Sequence, residues 1–589
     1  MARGNFNDLM YNELLTTPNH DLIFAIGTTY SLSLEAMLMV PISFGLLGEL
    51  DDNIKQSPIC LLESVRRSAD KFVMFCNKGG IAVPNEIRNV YTLMEDSIVE
   101  VADKKNMLAN FHPKLWIIKE KNRETGTLQI KIIVMSRNLT FDNSIDIACS
   151  LTGIIGDDVS ALSYKHAPLK EFLKRLRTYA AEGKRKQIND IIRDLDKVER
   201  FEVDGNVFEK DGYEFFPLWY GKNLNQEFSV LEELMGNASV IVSPFIDKTT
   251  LSHIKSNRST GYRNVLITRK NYVDKDIFDL YSDEGEIYAV SDTMLDNNVA
   301  RIDLHAKMYW VFDRDNSRYL YMGSANATNS GFNRNTEFLL RLKYKKGKNY
   351  LYEDFLNNFV NDEDRKFEKL DAPYVKESNN KYSDVERILK QFINSKITAH
   401  ADVNGDTANI TVNIDNYDNK FSNISISPLQ LKNISKFADS QIYFENIPIE
   451  KISELFVVSL KTEDENKSSV IKIKTSGIPE NRDNIIFSRM VDTPKKFIDY
   501  VSFMVTEKPA EMIGEMLEHA CSNDKENLYE LRQKEPKVYE QMLKLAYNNP
   551  SQLKEIGELM EKVDPRVITP QFKQMYNNFM SIIKTLERL

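Results

Sequence analysis

One short pattern occurs twice in this chain. His112-Pro113-Lys114 opens the apolar run LWIIKE, the polar stretch KNRETGT follows, and the next apolar run, LQIKIIVM, ends in Ser136-Arg137-Asn138. In the second occurrence His305-Ala306-Lys307 opens MYWVF, and RYLYMG ends in Ser324-Ala325-Asn326. Each occurrence reads as strand, turn, strand, and two such units with the same polar residues at the same ends predict a duplicated α/β domain. Residues two apart on an extended strand share a face, so His112 projects with Lys114, His305 with Lys307, Ser136 with Asn138, and Ser324 with Asn326. A single His-x-Lys carries little weight, since a lysine-rich chain with seven histidines shows about one by chance. His253-Ile254-Lys255 is the internal control. It sits in a polar, helical stretch with no strand ending in Ser-x-Asn behind it, and it receives no role.

Each half therefore brings an imidazole, an ammonium, an amide and a small hydroxyl toward one spot. That set suits a phosphodiester: the lysine neutralises a nonbridging oxygen, the asparagine donates to it, and two imidazoles on opposite sides of the phosphorus divide the roles of nucleophile and general acid. Asp146 and Glu337 each precede an apolar strand downstream of the asparagines. Each is expected to accept a hydrogen bond from a histidine Nδ1 and to stabilise the imidazolium.

At 589 residues and 68.1 kDa the chain is too long for one core. We divide it into a first α/β half at 1–200, a second at 201–372, a β-rich domain at 373–508 and a helical region at 509–589. The expected break between two helices near 165–200 is Gly183, and the β-rich domain is signalled by alternation around the turn Asn404-Gly405. The polar stretch KESNNKYSD is the linker candidate. Four cysteines without a CxxC spacing argue against a disulfide framework or a zinc site. AMLMVPISFGLL is short and holds Pro41, so it reads as a core helix rather than a membrane span. A cytoplasmic location and no membrane association are the expectations. The string Asp402-Val403-Asn404-Gly405-Asp406 has its glycine at the fourth position, which suits a hairpin turn rather than a calcium loop.

The quoted motifs resemble those of the phospholipase D superfamily, His-x-Lys followed by a strand and then Gly-Ser-x-Asn. LHAKMYWVF with YMGSANATNSGFNRNTE is a close match, and FHPKLWII with IVMSRNLTFDNSID resembles nuclease-like prokaryotic members and tyrosyl-DNA phosphodiesterases. The resemblance covers roughly residues 1–345. It implies two duplicated phospholipase D-like α/β/α sandwich halves forming a pseudo-dimer, with the β-rich and helical regions following. It also implies a metal-independent phosphodiesterase that works through a phosphohistidine and uses no cofactor. His112 and His305 then serve as nucleophile and general acid, with His112 assigned as the nucleophile. Lys114, Lys307, Asn138 and Asn326 are the phosphate ligands, and Glu337 is the orienting acid. The chain departs from the family pattern at the aspartate shortly after each lysine, where Lys119 and Phe312 stand, with Glu120 and Asp313 nearby. It departs again at the Asn138 to Asp146 interval, three residues shorter than Asn326 to Glu337, which puts Cys149 at the equivalent offset.

The motifs alone do not choose among nucleic acid, protein-DNA adducts and phospholipids. The formal charge of -9 excludes a chain that is basic all over, but not a basic cleft. Lys170, Lys174, Arg175, Arg177, Lys184, Arg185 and Lys186, with the run Lys343 to Lys348, suggest phosphate contacts and so favour nucleic acid. Trp116 and Trp310, close after the two lysines, are candidates for base stacking, although core packing is their commoner use. The leading reading is a nuclease acting on DNA or RNA, with DNA preferred and a role in prokaryotic defence against foreign DNA implied by the resemblance. The alternatives are an end-processing or adduct-removing phosphodiesterase, a phospholipid-cleaving enzyme, and a nucleic-acid-binding subunit that recruits a partner ATPase or helicase. A homo-oligomer is compatible with all of them.

Overall fold

In the computed structural model, structure is described for residues 15, 17–44, 58–103, 105–142, 144–203, 207–225, 227, 229–257, 264–281, 285–290, 303–312, 317–345, 360, 367–374, 384–431, 434–437, 439–463, 465–505, 538–546 and 550–586. Asp313, residues 346–348 of the basic run, nearly all of KESNNKYSD and the stretch 506–537 lie outside these residues.

The first 200 residues build a seven-stranded sheet. Its strands are β1 His20–Thr29, β2 Phe72–Asn77, β3 Ile98–Val101, β4 Leu115–Asn122, β5 Leu128–Met135, β7 Ala148–Ile154 and β8 Glu202–Val203, with the two-residue β6 Ser144–Ile145 outside it, and the order is β3-β2-β1-β4-β5-β7-β8. β1, β2 and β3 are parallel, and everything from β4 onward is antiparallel. The second sheet uses β9 Phe208–Trp219, β10 Lys222–Asn223, β11 Ala238–Val242, β12 Asn264–Thr268, β13 Gly285–Val290, β15 Met308–Phe312, β16 Arg318–Gly323, β17 Glu337–Tyr344 and β18 Phe367–Lys369, with β14 Asp303–Leu304 pairing elsewhere. Its order is β10-β9-β17-β16-β15-β11-β12-β13-β18, with β11, β12 and β13 parallel. From β3 to β8 in one sheet and from β13 to β9 in the other, position and direction correspond strand for strand.

Period-two alternation sends one set of each strand's residues to each face. Phe24, Ile26 and Ile117 point into a core that lies between the sheets, where Val240, Val242 and Leu340 come from the second sheet. Two helices, α1 Ala167–Arg177 and α2 Glu182–Asp194, fill that layer with Leu169, Phe172, Leu176, Ile188 and Ile191. The helix break falls at residues 178–181, and Gly183 is inside the first turn of α2 rather than at the break. Ala25, Met74 and Ile118 face the other way, against Met37, Leu38 and Val40 of the helix Leu34–Phe44, which carries Pro41 internally and is part of the core.

Two four-stranded sheets between Ile397 and Ser476, with the helix Asp384–Asn394, share a separate core around Phe392, Ile410 and Val458. Gly405 takes φ +63° at the hairpin turn, where a glycine carries no steric cost. The described C-terminal segments are helical, and the longest are Pro550–Lys562 and Pro570–Leu586. Among the described residues no helix is long and apolar enough to cross a membrane.

Candidate active site

The two sheets are joined where their His-x-Lys segments meet. β14 pairs in parallel with β6, matching Leu304 to Ile145, and Phe111 bridges in parallel to Thr336. In both cases the residues before a histidine run beside the residues before the other half's carboxylate. His112 is held by its backbone N–H on Thr336 O (2.9 Å), and His305 by its own on Ile145 O (3.0 Å). The consequence is a crossover. His112 Nδ1 lies 2.9 Å from Glu337 Oε2, and His305 Nδ1 lies 3.1 Å from Asp146 Oδ1, so each histidine is oriented by a carboxylate from the opposite sheet.

Each carboxylate is fixed in turn. Ser136 Oγ donates to Asp146 (2.7 Å) and accepts from Ile147 N (3.0 Å), and Ser324 Oγ donates to Glu337 (2.5 Å) and accepts from Phe338 N (2.9 Å). Two residues before each carboxylate stands a second donor: Ser144 Oγ to Asp146, and Asn335 Nδ2 to Glu337 Oε1 (3.2 Å). Each carboxylate therefore points one oxygen at an imidazole. Asp146 is held below the usual carboxylate range by its hydrogen bonds and by His305, against the effect of burial.

Both lysines are buried and turn back to the carbonyl of their own histidine, Lys114 Nζ to His112 O (2.8 Å) and Lys307 Nζ to His305 O. Burial pushes the Lys114 ammonium well down, with Lys307 adding to the effect, and burial brings Lys307 down to about 7 against the pull of Asp146 and Glu337. Burial likewise brings His112 down to about 4 and His305 to about 3. Lys307 contributes to the first and Lys114 to the second, so each half's lysine acts on the other half's histidine. Two cations crowded into a low-dielectric site repel each other, and an anion placed between them relieves that repulsion. Asn326 is buried with an amide oxygen that has no hydrogen-bond partner, so its amide is not spent on the fold. Asn138 Oδ1 accepts from Ser31 N at 3.4 Å.

Several expectations need correcting. Ser136 and Ser324, expected at the substrate, are fully buried and bonded to the carboxylates instead. Trp116 and Trp310 are core residues, 2% and 3% exposed. Trp116 packs against Phe44, and Trp310 stacks on Tyr344 with centroids 5.0 Å apart, so neither face is open to a base. The basic cluster is mostly engaged: Lys170 pairs with Asp196, Lys174 and Arg175 with Glu171, and Arg177 with Asn189. Lys184 is buried with its ammonium on Ala69 O (2.8 Å), and Arg185 bonds to Ala180 O (2.7 Å); Lys186 is exposed and makes no ion pair among the described residues. Lys119 pairs with Asp194 (2.5 Å), Glu120 accepts from Gln129, and Cys149 lies on β7 opposite Val134. The shorter Asn138 to Asp146 interval still delivers Asp146 to a histidine. His253 is exposed on the helix Lys248–Ile254.

Tyr30, Ser144 and Asn335 are the site residues that the motifs do not announce. The Tyr30 ring lies 5.1 Å from the His112 ring and 5.9 Å from Lys114 Nζ. The hydrogen bonds of Thr29 Oγ1 and Ser243 Oγ match, each taking the N–H after the motif asparagine, so Pro244 occupies the place of Tyr30 in the second half. The only sequence signal for Ser144 and Asn335 is a polar residue two positions before each carboxylate.

No protein-family model and no curated protein matches the chain. Among solved structures, yeast tyrosyl-DNA phosphodiesterase is 14% identical over 56% of this chain and 84% of its own, with a TM-score of 0.32. Phosphatidylserine synthase from Haemophilus influenzae Rd KW20 is 14% identical over 65% of this chain and 89% of its own, with a TM-score of 0.35. Polyphosphate kinase from Porphyromonas gingivalis is 11% identical over 65% of this chain and 49% of its own, with a TM-score of 0.31. The first two are phospholipase D superfamily members.

Proposed function

We propose that the chain is a metal-independent phosphodiesterase of the phospholipase D type, its two sheets being the duplicated halves, and that its substrate is a nucleic acid strand, DNA before RNA. The crossed pairing of His112 with Glu337 and His305 with Asp146 carries this reading. With each Nδ1–H held by a carboxylate, each Nε2 is the reactive nitrogen. One neutral imidazole attacks the phosphorus. A P–N bond forms, the P–O bond to the leaving group breaks, and the leaving oxygen takes a proton from the second imidazolium. That imidazole, now neutral, takes a proton from water as the water oxygen bonds to phosphorus and the P–N bond breaks. His112 is assigned the attack, following the family resemblance of the motifs.

The acidic limb of the reaction needs a protonated imidazole, and both histidines are neutral near pH 7 in the free site. The bound diester supplies the missing favour: its negative charge beside the imidazoles raises their proton affinity. Lys114, Lys307, Asn138 and Asn326 hold the nonbridging oxygens. The choice of polymer is supported by the likeness of the motifs to nuclease-like members.

The test is hydrolysis in excess EDTA of circular DNA, linear DNA, single-stranded DNA and RNA, by the wild-type chain and by His305→Ala. The expected result is cleavage that survives chelation and disappears in the variant. Inactivity on every nucleic acid together with hydrolysis of a phospholipid would leave the mechanism standing and overturn the choice of substrate.

A further inference from the structure

The helix Asp384–Asn394 belongs to the β-rich core, yet one of its side chains reaches the frame of the site. Lys390 Nζ donates to Asn110 Oδ1 at 3.0 Å. Asn110 is two residues before His112, at most about 7 Å of extended chain away. The same asparagine accepts from Thr336 N (2.9 Å) and donates its N–H to Asn335 Oδ1 (3.1 Å), which places it against the segment that leads into Glu337. Arg334 opens that segment and lies near enough to Lys390 to disfavour its charge.

The charge balance here is unusual. Among the described residues the sole hydrogen bond of the Lys390 ammonium goes to a neutral amide, and the guanidinium of Arg334 has no partner. Among the described residues neither side chain has a carboxylate within ion-pair distance. Glu386, one turn away on the same helix, is the acid that acts on Lys390, and burial and Arg334 oppose it. A half-buried lysine beside an unpaired arginine is unfavourable unless an anion joins them. In the basic cluster on α1 and α2, by comparison, Lys170, Lys174 and Arg175 are paired with acids, and Arg177, Lys184 and Arg185 are bonded to amide or carbonyl oxygens.

We propose that Arg334 and Lys390 form a second phosphate subsite, which binds the phosphate next to the one between His112 and His305 and so brings the β-rich module into contact with a polyphosphodiester strand. This rests on the phosphodiesterase reading above and narrows it. A substrate with a single phosphodiester fills one site only, whereas a strand fills both. The module's docking explains how the reach is kept: Ile393 of the same helix lies against Gly79, and Ser469 Oγ donates to Gly79 O (2.7 Å).

Steady-state kinetics of the full chain test it, with wild type, Lys390→Gln, Arg334→Gln and Lys396→Gln compared on a single-stranded decanucleotide and on a dinucleoside monophosphate. Lys396 is an exposed lysine paired with Asp415 and serves as the charge-matched control. The subsite predicts that Lys390→Gln and Arg334→Gln raise KM on the strand about tenfold more than on the dinucleotide, with kcat on the strand held. The slope of log affinity against log salt falls by about 0.7 for each contact removed. Lys390→Arg restores strand affinity. Equal losses on both substrates would overturn the subsite, because they would mark Lys390 as a brace for the His112 segment. Unchanged salt slopes would overturn it as well. Wild-type protein that cleaves neither substrate would instead overturn the parent reading, and preference for a two-phosphate lipid in micelles over the strand would overturn the polymer.

Discussion

Each imidazole here works through a partner it could not have found locally. His112 and Glu337 are 225 positions apart, and His305 and Asp146 are 159 apart. The residue types were legible in the sequence because an imidazole, an ammonium and an amide at fixed strand positions are recognisable by spacing. Which carboxylate serves which histidine was not, since it depends on how two sheets dock. Replacing a buried orienting carboxylate by its amide keeps the shape and removes the charge, so Glu337→Gln and Asp146→Asn are each expected to lower kcat by about 10²–10⁴-fold with little change in KM. Steady-state rates of the two variants check this. Folding also lowers the proton affinity of His112 to about 4 and His305 to about 3, from 6.5. The unfolded chain therefore binds protons first as pH falls, so the stability held above pH 6.5 is lost progressively down to about pH 4 for His112 and about pH 3 for His305. His166, brought to about 4 by burial between Leu195 O and Tyr213, shares in this. Urea unfolding between pH 7 and 4 is expected to show the loss, and His305→Asn to reduce its slope. Lys307 has the opposite sense in function. Its charge is lost as pH rises through about 7, so affinity for an anionic diester falls there, and Lys307→Arg is expected to move that fall to higher pH in binding titrations.

At the scale of elements, the strand-turn-strand units were readable because fully apolar runs bounded by polar ends leave few alternatives. Helix boundaries were less so: Gly183 marks no break, because a glycine near a helix start is tolerated where the first turn lacks partners anyway. The tryptophans show the limit of reading side chains from strand position. Trp116 shares the strand parity of Lys114, but the lysine lies just before β4 and folds back on His112 O, while the tryptophan is already inside the sheet's outer core. Gly323 closes β16 just before Ser324 with φ +150°, and a Cβ there would collide with Phe338 O. Gly323→Ala is expected to cost more than about 1 kcal/mol of stability and to displace Ser324 from Glu337, which thermal melts and activity together will register.

The whole molecule is tied together by buried polar links that composition does not reveal. Arg482 pairs with Glu95 at 2.5 Å, both nearly inaccessible, and Glu95 also accepts from Ser453 Oγ (2.7 Å) and Glu454 N (3.0 Å). These bonds fasten the β-rich module and the helix Arg482–Met490 to the 3-10 helix Asn89–Ser97 that leads into β3. Removing one partner of such a pair leaves a buried charge, so Arg482→Ala is expected to destabilise the chain by roughly 3–5 kcal/mol in denaturant unfolding. The measurement that bears most directly on the account is the identity of the covalent intermediate. Wild-type protein is quenched during turnover of a 5′-labelled or 3′-labelled strand in EDTA, digested, and mapped by mass spectrometry. The account predicts an acid-labile, base-stable phosphoryl adduct on the imidazole of His112, absent in His112→Ala and longer-lived in His305→Ala when the leaving group needs no proton. Turnover without an adduct on either histidine, or full activity in His112→Ala, would contradict it.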